Sequence, residues 1–167
     1  MLLLLVRHAH AGSKERWEGD DRVRPLSARG REAAAALVPA LLPFRPERVV
    51  SSPLARCVET VAPLARRLRL AVETSDQLLP QAGEAAVALV EELARGTGAV
   101  VLCTHGETIE MLQRSLSAQG IGWGPGSLRE KGSVWVLRAT DGRFTGAEYL
   151  PPARGRGATA RTAASSC

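Results

Sequence analysis

Two histidines and two arginines, far apart in the sequence, have the chemistry to bind and attack a phosphoryl group. They are Arg7, His8, Arg56 and His105. An arginine offers planar, paired donors that match the oxygens of a phosphoryl group. A neutral histidine is a nucleophile that can attack phosphorus without a metal ion, and a second, protonated histidine can donate hydrogen bonds to the same oxygens. Together these side chains indicate a site that holds and attacks a phosphoryl group.

These residues lie beside short, largely apolar segments that are predicted to be strands. The segments are 1–6, 48–51 and 99–103, and short apolar runs are typical of strands buried in a parallel sheet. The Arg7-His8 pair follows the first segment, Arg56 lies about one helical turn beyond the second, and His105 follows the third. Because ligands of open α/β sheets bind beyond the carboxyl ends of the strands, we expect the four side chains to meet there.

The rest of the chain alternates between strand and helix patterns. Four helices are expected, over residues 25–42, 53–69, 84–95 and 107–118. Ser27 is expected to cap the first helix, and Ser52 and Pro53 to start the second. A weaker strand is expected at 70–73, and a hairpin with an Asp-Gly turn at 132–139 and 144–150. The predicted fold class is α/β, a three-layer α/β/α sandwich with a mostly parallel sheet.

The length and composition are those of a globular protein with a single core. The chain has 167 residues, of which 45% are hydrophobic and 23% are charged, which excludes collagen-like, coiled-coil and wholly disordered classes. We expect one domain over residues 1–150. Residues 151–167 are almost entirely Pro, Ala, Gly, Arg, Thr and Ser, so this segment is predicted to be a flexible tail.

Charge and hydropathy exclude several partners. The net charge is +5, and three of these charges come from arginines in the predicted tail. The nearly neutral body predicts no nucleic-acid partner. The longest apolar run, 1–6, is far shorter than the roughly 20 residues that span a bilayer, and it lacks the features of a secretory signal. We therefore expect no membrane partner and a cytoplasmic location.

The cysteines give no sign of a metal site. Cys57, Cys103 and Cys167 form no pair with metal-ligand spacing, and the first two lie in apolar patterns that predict reduced core residues. The three histidines are scattered along the chain. No metal and no cofactor are expected.

Four motifs in order resemble the histidine phosphatase superfamily, whose fold is phosphoglycerate mutase-like. They are the segments 5–9 (LVRHA), 24–30 (RPLSARG), 51–60 (SSPLARCVET) and 104–106 (THG). The similarity spans about residues 2–140, and the short length and the Arg-His-Ala variant resemble the SixA-like phosphohistidine phosphatases. Segments 17–21 and 131–135 also look like the phosphatase-like modules fused to actinobacterial Nudix hydrolases, although no Nudix box occurs in this sequence.

The resemblance implies a role for each matching residue. His8 would be the nucleophile and would form a phosphohistidine intermediate that water later hydrolyses, while Arg7, Arg56 and His105 would complete the phosphate pocket. The implied activity is that of a metal-independent phosphatase. Its implied substrate is a phosphohistidine protein or a small labile phosphate.

One feature of the family pattern is missing. Larger relatives place a carboxylate general acid after the third strand, but residues 76–81 contain no Glu at the expected place. Glu107, Glu84, Asp20 and Asp21 are candidates; for Glu84 and Glu107 a simple role in the first turn of a helix is favoured. Without a strong acid, a labile leaving group such as that of a phosphoramidate is preferable to an alkyl ester.

Two alternatives remain open from the sequence. The polar segment 7–24, which we call the first loop, is basic and contains Lys14, Arg16 and Trp17. This composition favours a nucleotide or sugar-phosphate phosphatase of the same fold. The missing acid favours a non-catalytic phosphate-binding module. Trp17 itself is predicted to close the loop over the core, and His10 to be a solvated or supporting loop residue.

Overall fold

The computed structural model describes residues 1–124 and 129–152. Along the chain, strands and helices alternate until the final hairpin. The elements are β1 (Leu2–Arg7), α1 (Ala28–Leu41), β2 (Arg48–Ser51), α2 (Ala55–Leu68), β3 (Val72–Thr74), α3 (Glu84–Ala94), β4 (Ala99–Thr104), α4 (Gly106–Ala118), β5 (Val134–Thr140) and β6 (Arg143–Leu150). Short 3-10 helices lie at Asp21–Val23, Leu42–Phe44 and Asp76–Leu78. Most of the predicted tail, residues 153–167, lies outside the described residues.

The six strands form one sheet in the order β3-β2-β4-β1-β5-β6. The first four strands of that order are parallel to one another. β5 pairs antiparallel with β1, and β6 pairs antiparallel with β5. In the pairing of β1 with β4, Arg7 lies opposite Thr104, and the His8 N–H donates to the Thr104 carbonyl at 2.9 Å. The two residues that follow these strands, His8 and His105, are therefore placed side by side at the carboxyl edge.

The central strands bury both faces under helices. Leu3 and Leu5 of β1 belong to an apolar cluster with residues of α3 and α4, whereas Leu4 and Val6 pack with residues of α1 and α2. This alternation is the period-two geometry of a strand, and it confirms the predicted three-layer sandwich. Cys57 and Cys103 are both buried with free thiols, as predicted. No helix among the described residues is long and apolar enough to cross a membrane.

The hairpin and the cap of α1 confirm the local signals in the sequence. Asp141 and Gly142 have φ angles of 51° and 75°, the left-handed conformations that a tight two-residue turn between β5 and β6 requires. The Ser27 side chain accepts a hydrogen bond from the Gly30 N–H and caps α1. These elements depend on short-range chemistry, so the sequence predicts them directly.

The prediction for the start of α2 is wrong by two residues. Ser52 and Pro53 were expected to begin the helix, but its N-cap is Leu54 and its first residue is Ala55. The Ser52 hydroxyl instead lies 2.9 Å from Nε2 of His105, and its contact with the Leu54 N–H is long, at 3.5 Å. A tertiary hydrogen bond has therefore taken the side chain that would otherwise cap the helix.

Gly30 is required where α1 crosses the loop that follows β1. A Cβ atom at this position would lie 2.0 Å from the His10 carbonyl oxygen, which accepts the Ser27 N–H at 2.9 Å. We expect Gly30→Ala to lower the free energy of unfolding by about 3 kcal/mol, because backbone must move to relieve the overlap. Urea denaturation measures this loss. Gly146→Ala, in β6 with no atom within 4 Å of the added Cβ, is the control, and equal midpoints for the two variants would contradict the prediction.

Candidate active site

A cavity of about 410 Å³ opens at the carboxyl edge of the sheet. Its lining includes all four residues predicted from the sequence: Arg7, His8, Arg56 and His105. His8, Arg56 and His105 are buried, with 7%, 5% and 1% of their surface exposed. Segments separated by up to 98 positions in the chain thus converge on one volume, as the strand-end argument predicts.

The imidazole of His8 is held in one tautomer. Its Nδ1 lies 2.8 Å from the Ala9 carbonyl oxygen, which can only accept, so Nδ1 carries the proton and Nε2 presents a lone pair. The Ala9 N–H in turn donates to Oγ1 of Thr60 at 2.9 Å, and the Thr60 hydroxyl donates to the Arg56 carbonyl at 2.6 Å. These bonds tie the nucleophile candidate to α2.

The second imidazole is packed against the first. The ring centroids of His8 and His105 are 5.2 Å apart, in an edge-to-face arrangement. Nε2 of His105 lies 2.9 Å from the Ser52 hydroxyl and 3.5 Å from the Cys57 sulfur. The contact with Ser52 fixes the orientation of the His105 ring.

The Arg7 guanidinium is held at one side of the cavity. Its Nη1 donates to the Arg129 carbonyl, while its buried Nε has no hydrogen-bond partner. The group lies directly against Gly106, where a Cβ atom would be 3.1 Å from the guanidinium carbon. Glycine after His105 therefore leaves room for Arg7, which gives a physical reason for the Thr-His-Gly motif.

The Arg56 guanidinium is held by the first loop. Nη1 of Arg56 donates to the Asp21 carbonyl at 2.9 Å and lies 3.2 Å from the Asp21 carboxylate. The same carboxylate accepts from Nε of Arg24 at 2.7 Å. Nε of Arg56 is buried without a partner. Arg7 and Arg56 thus each keep a donor group that the described residues leave unpaired, which suits them to an anionic ligand.

Both imidazoles of the candidate site are neutral at physiological pH. Burial, followed by the nearby charges of Arg56 and Arg7, lowers the pKa of His8 to about 4, against the opposing effect of its bond to Ala9. Burial, followed by the neighbouring His8 and Arg56, lowers the pKa of His105 to about 3. For His8, burial lowers the pKa more than the two cationic neighbours do.

The four acid candidates are not equivalent. Asp21 and Glu107 line the cavity, whereas Asp20 and Glu84 do not. Burial would raise the pKa of Asp21, but Arg24 and Arg56 outweigh it and hold the pKa below its usual value, so this carboxylate is a poor proton donor. Glu107 lies in the first turn of α4 and is exposed. It has no hydrogen bond or ion pair with any residue that the structure describes.

The position of Trp17 in the first loop differs from the prediction. Trp17 was predicted to pack over the core, but 37% of its surface is exposed, and its indole N–H donates to the Asp20 carbonyl at 3.0 Å. This bond holds the ring along its own loop instead of against the sheet. His10 supports the loop, as anticipated, because its Nδ1 lies 2.8 Å from the Ser27 hydroxyl.

Several residues of the site were missed in the sequence. Ser52 and Thr60 lie inside a recognised motif, yet only their tertiary partners show that they orient the histidines. Lys131 also lines the cavity, although it follows the last helix by more than ten residues. The segment 131–135 was noted for its resemblance to known modules, but its place at the cavity depends on how the chain returns to the sheet before β5.

Comparison with known proteins identifies the family. Residues 3–84 match the model of the histidine phosphatase superfamily (branch 1). Over 154 residues, 90% of this chain, the sequence is 36% identical to an 8-oxo-(d)GTP phosphatase of Mycolicibacterium smegmatis. The chain belongs to the histidine phosphatase superfamily. It spans about half of that curated relative, 48% of its length.

Two solved structures of phosphatases have the same fold. The protein histidine phosphatase SixA, solved with tungstate, aligns with a TM-score of 0.75 at 21% identity over 91% of this chain and 97% of its own. A mycobacterial glucosyl-3-phosphoglycerate phosphatase, solved with VO3, aligns with a TM-score of 0.66 at 21% identity over 86% and 96% of the two chains. The predicted superfamily and phosphoglycerate mutase-like fold are confirmed.

The depressed pKa values make stability depend on pH. In the unfolded chain both histidines titrate near their ordinary value of about 6.5, whereas in the folded protein they do so at about 4 and about 3. As pH falls below about 6.5 the unfolded state binds protons that the native state does not, so the free energy of unfolding should fall. Urea denaturation at about pH 7 and about pH 4.5 measures this loss.

A double variant, His8→Gln with His105→Gln, is the control for that measurement. It should lose less stability over the same pH interval, since the two titrating groups are gone while every carboxylate remains. In the wild-type protein, NMR shifts of both imidazoles should also stay constant from about pH 7 to about pH 5. Titration of either ring near its ordinary pKa would contradict the prediction.

Proposed function

We propose that this chain is a metal-independent phosphohydrolase whose nucleophile is Nε2 of His8. The main support is the bond from Nδ1 of His8 to the Ala9 carbonyl, because it leaves the lone pair of Nε2 available in a buried, neutral ring. Membership of the histidine phosphatase superfamily supports the same reaction. The described residues contain no cluster of three His, Cys, Asp or Glu side chains that could hold a metal ion.

The proposed reaction has two steps. Nε2 of His8 attacks phosphorus, forming an N–P bond as the bond to the leaving group breaks, and the leaving group departs with the electron pair. Water then attacks the phosphohistidine, the N–P bond breaks, and inorganic phosphate and neutral His8 are released. Arg7 and Arg56 bind the equatorial oxygens, and His105 donates a hydrogen bond, where negative charge is concentrated in the transition state.

The substrate is proposed to carry a labile leaving group. Asp21 is tied to two arginines, and Glu107 is exposed to solvent, so no carboxylate in the described part of the cavity is buried and free to act as a strong acid. A phosphohistidine protein or a small labile phosphate meets this requirement. A nucleotide phosphatase is the second candidate, supported by the 36% identical relative named 8-oxo-(d)GTP phosphatase.

Replacement of His8 tests the nucleophile. We expect His8→Ala to lower turnover of every substrate by more than about 10³-fold and to abolish covalent labelling by a phosphohistidine peptide carrying labelled phosphate. The label on the wild-type protein should be lost in acid and stable in alkali, as expected for a phosphoramidate. Quenched-flow trapping followed by gel analysis measures both.

His10→Ala is the matched control, since it removes an imidazole two positions away that does not line the cavity. It should retain turnover and labelling. Unchanged turnover in His8→Ala would refute the proposed function. Tight binding of vanadate by the wild-type protein, with no turnover of any substrate, would instead favour the non-catalytic phosphate-binding module.

Replacement of Glu107 tests the leaving-group argument. We expect Glu107→Gln to change kcat for a phosphohistidine peptide or p-nitrophenyl phosphate by less than about threefold, because these leaving groups need little help from an acid. Glu84→Gln, in the first turn of α3 and outside the cavity lining, is the control. A loss of about 10²-fold or more for Glu107→Gln alone would make Glu107 the general acid.

A further inference from the structure

Three cationic side chains that form no ion pair with a described residue lie at the rim of the cavity. Lys14 and Arg22 come from the first loop, and Lys131 comes from the segment that precedes β5. All three are exposed. In the described part of the chain none of them forms an ion pair, and their side chains make no hydrogen bond. We call these three residues the rim cations.

The rim cations are distinct from the inner arginines in their partners. Asp21 holds Arg24 and Arg56 through ion pairs, and a backbone carbonyl holds Arg7. These bonds position the inner groups in the folded protein. The rim cations have no such structural role, so stability of the fold does not explain why three of them converge on one cavity.

The charge of the cavity exceeds what one phosphoryl group can neutralise. Its lining contains six cationic side chains and two carboxylates, which leaves four positive charges in excess when both histidines are neutral. A phosphomonoester dianion would offset half of this excess. Loss of hydration at the base of the Lys131 side chain, and then the charges of Arg7, Arg24, Arg29 and Arg56, lower the pKa of Lys131. A more highly charged ligand would remove the repulsion among these cations.

We propose that the rim cations Lys14, Arg22 and Lys131 form a subsite for a second phosphoryl group, so that the substrate is a phosphoanhydride whose terminal phosphoryl group is transferred to His8. This inference rests on the proposed function. It names the class of leaving group and assigns three residues to its recognition. The cavity is concave and holds both sets of cations, as a compact diphosphate requires; an acidic protein surface would meet cations spread over a flat face.

The chemistry of the leaving group favours a phosphoanhydride over a phosphohistidine. As Nε2 of His8 forms its bond to the terminal phosphorus, the bridging P–O bond breaks and its electron pair stays on the bridging oxygen. The departing phosphate leaves as an anion without needing a proton, and cations stabilise it directly. A neutral imidazole leaving group carries no negative charge for the rim cations to stabilise.

Steady-state kinetics with matched nucleotides test the rim cations. Wild-type protein and the triple variant Lys14→Gln, Arg22→Gln, Lys131→Gln are assayed in EDTA with a nucleoside diphosphate, the corresponding nucleoside monophosphate and a phosphohistidine peptide. We expect wild-type kcat/KM to be highest for the diphosphate. The triple variant should lose about 10²-fold on the diphosphate and less than about fivefold on the monophosphate.

Arg16→Gln is the matched control, because Arg16 belongs to the same loop but does not line this cavity. It should behave as the wild-type protein on all three substrates. A binding measurement adds a readout that needs no turnover: in the His8→Ala background, calorimetry should show pyrophosphate binding tighter than inorganic phosphate. Removal of the rim cations should abolish that preference.

Three other results would overturn the inference, and a fourth would overturn the proposed function. Equal losses on diphosphate and monophosphate would mean that the rim cations only attract anions in general. A wild-type preference for the phosphohistidine peptide, unchanged in the triple variant, would exclude the phosphoanhydride while leaving the proposed function intact. Losses confined to an acidic phosphohistidine protein would make the rim a protein-docking surface. Undiminished hydrolysis by His8→Ala would instead refute the proposed function itself.

Discussion

The parallel pairing of β1 with β4 is the constraint on which the site depends. Arg7 lies opposite Thr104, so the next residue of each strand is a histidine, and the two rings meet 5.2 Å apart. A slip of one residue in this register would turn every side chain of β1 to the opposite face. Leu3 to Val6 are fully buried and closely packed on both faces of β1, so a slip would require the core to repack. The same packing therefore positions the two imidazoles.

Burial of two imidazoles beside two guanidinium groups has a chemical consequence. Both rings are held neutral, because charging them would add to existing positive charge in a poorly solvated place. Neutral His8 retains its lone pair, and the Ala9 carbonyl determines which nitrogen carries it. The cavity thus combines a neutral imidazole that keeps a lone pair with cations that attract an anion, and neither requirement opposes the other.

The cations of the cavity differ in whether a carboxylate holds them in place. Asp21 lies between Arg24 and Arg56 and holds the first loop against α2, so the inner cations are positioned before any ligand binds. No carboxylate in the described structure plays the same part for Lys14, Arg22 and Lys131. The inner groups are therefore ordered by the protein, while the outer groups keep their charge available, as the proposed separate binding of the transferred phosphoryl group and of the leaving group requires.

The sequence alone determined the order of the strands and helices and which four side chains meet in one cavity, because apolar runs, caps and the Asp-Gly turn act over a few positions, and strand ends of a parallel sheet share one edge. Only the tertiary structure decided that Ser52 bonds to His105 instead of capping α2, that Trp17 lies outside the core, and that Lys131 reaches the cavity. These outcomes depend on partners far apart in the chain, which compete with local preferences. Local propensity amounts to about 1 kcal/mol per residue or less, so one buried hydrogen bond or one close packing contact can reverse it.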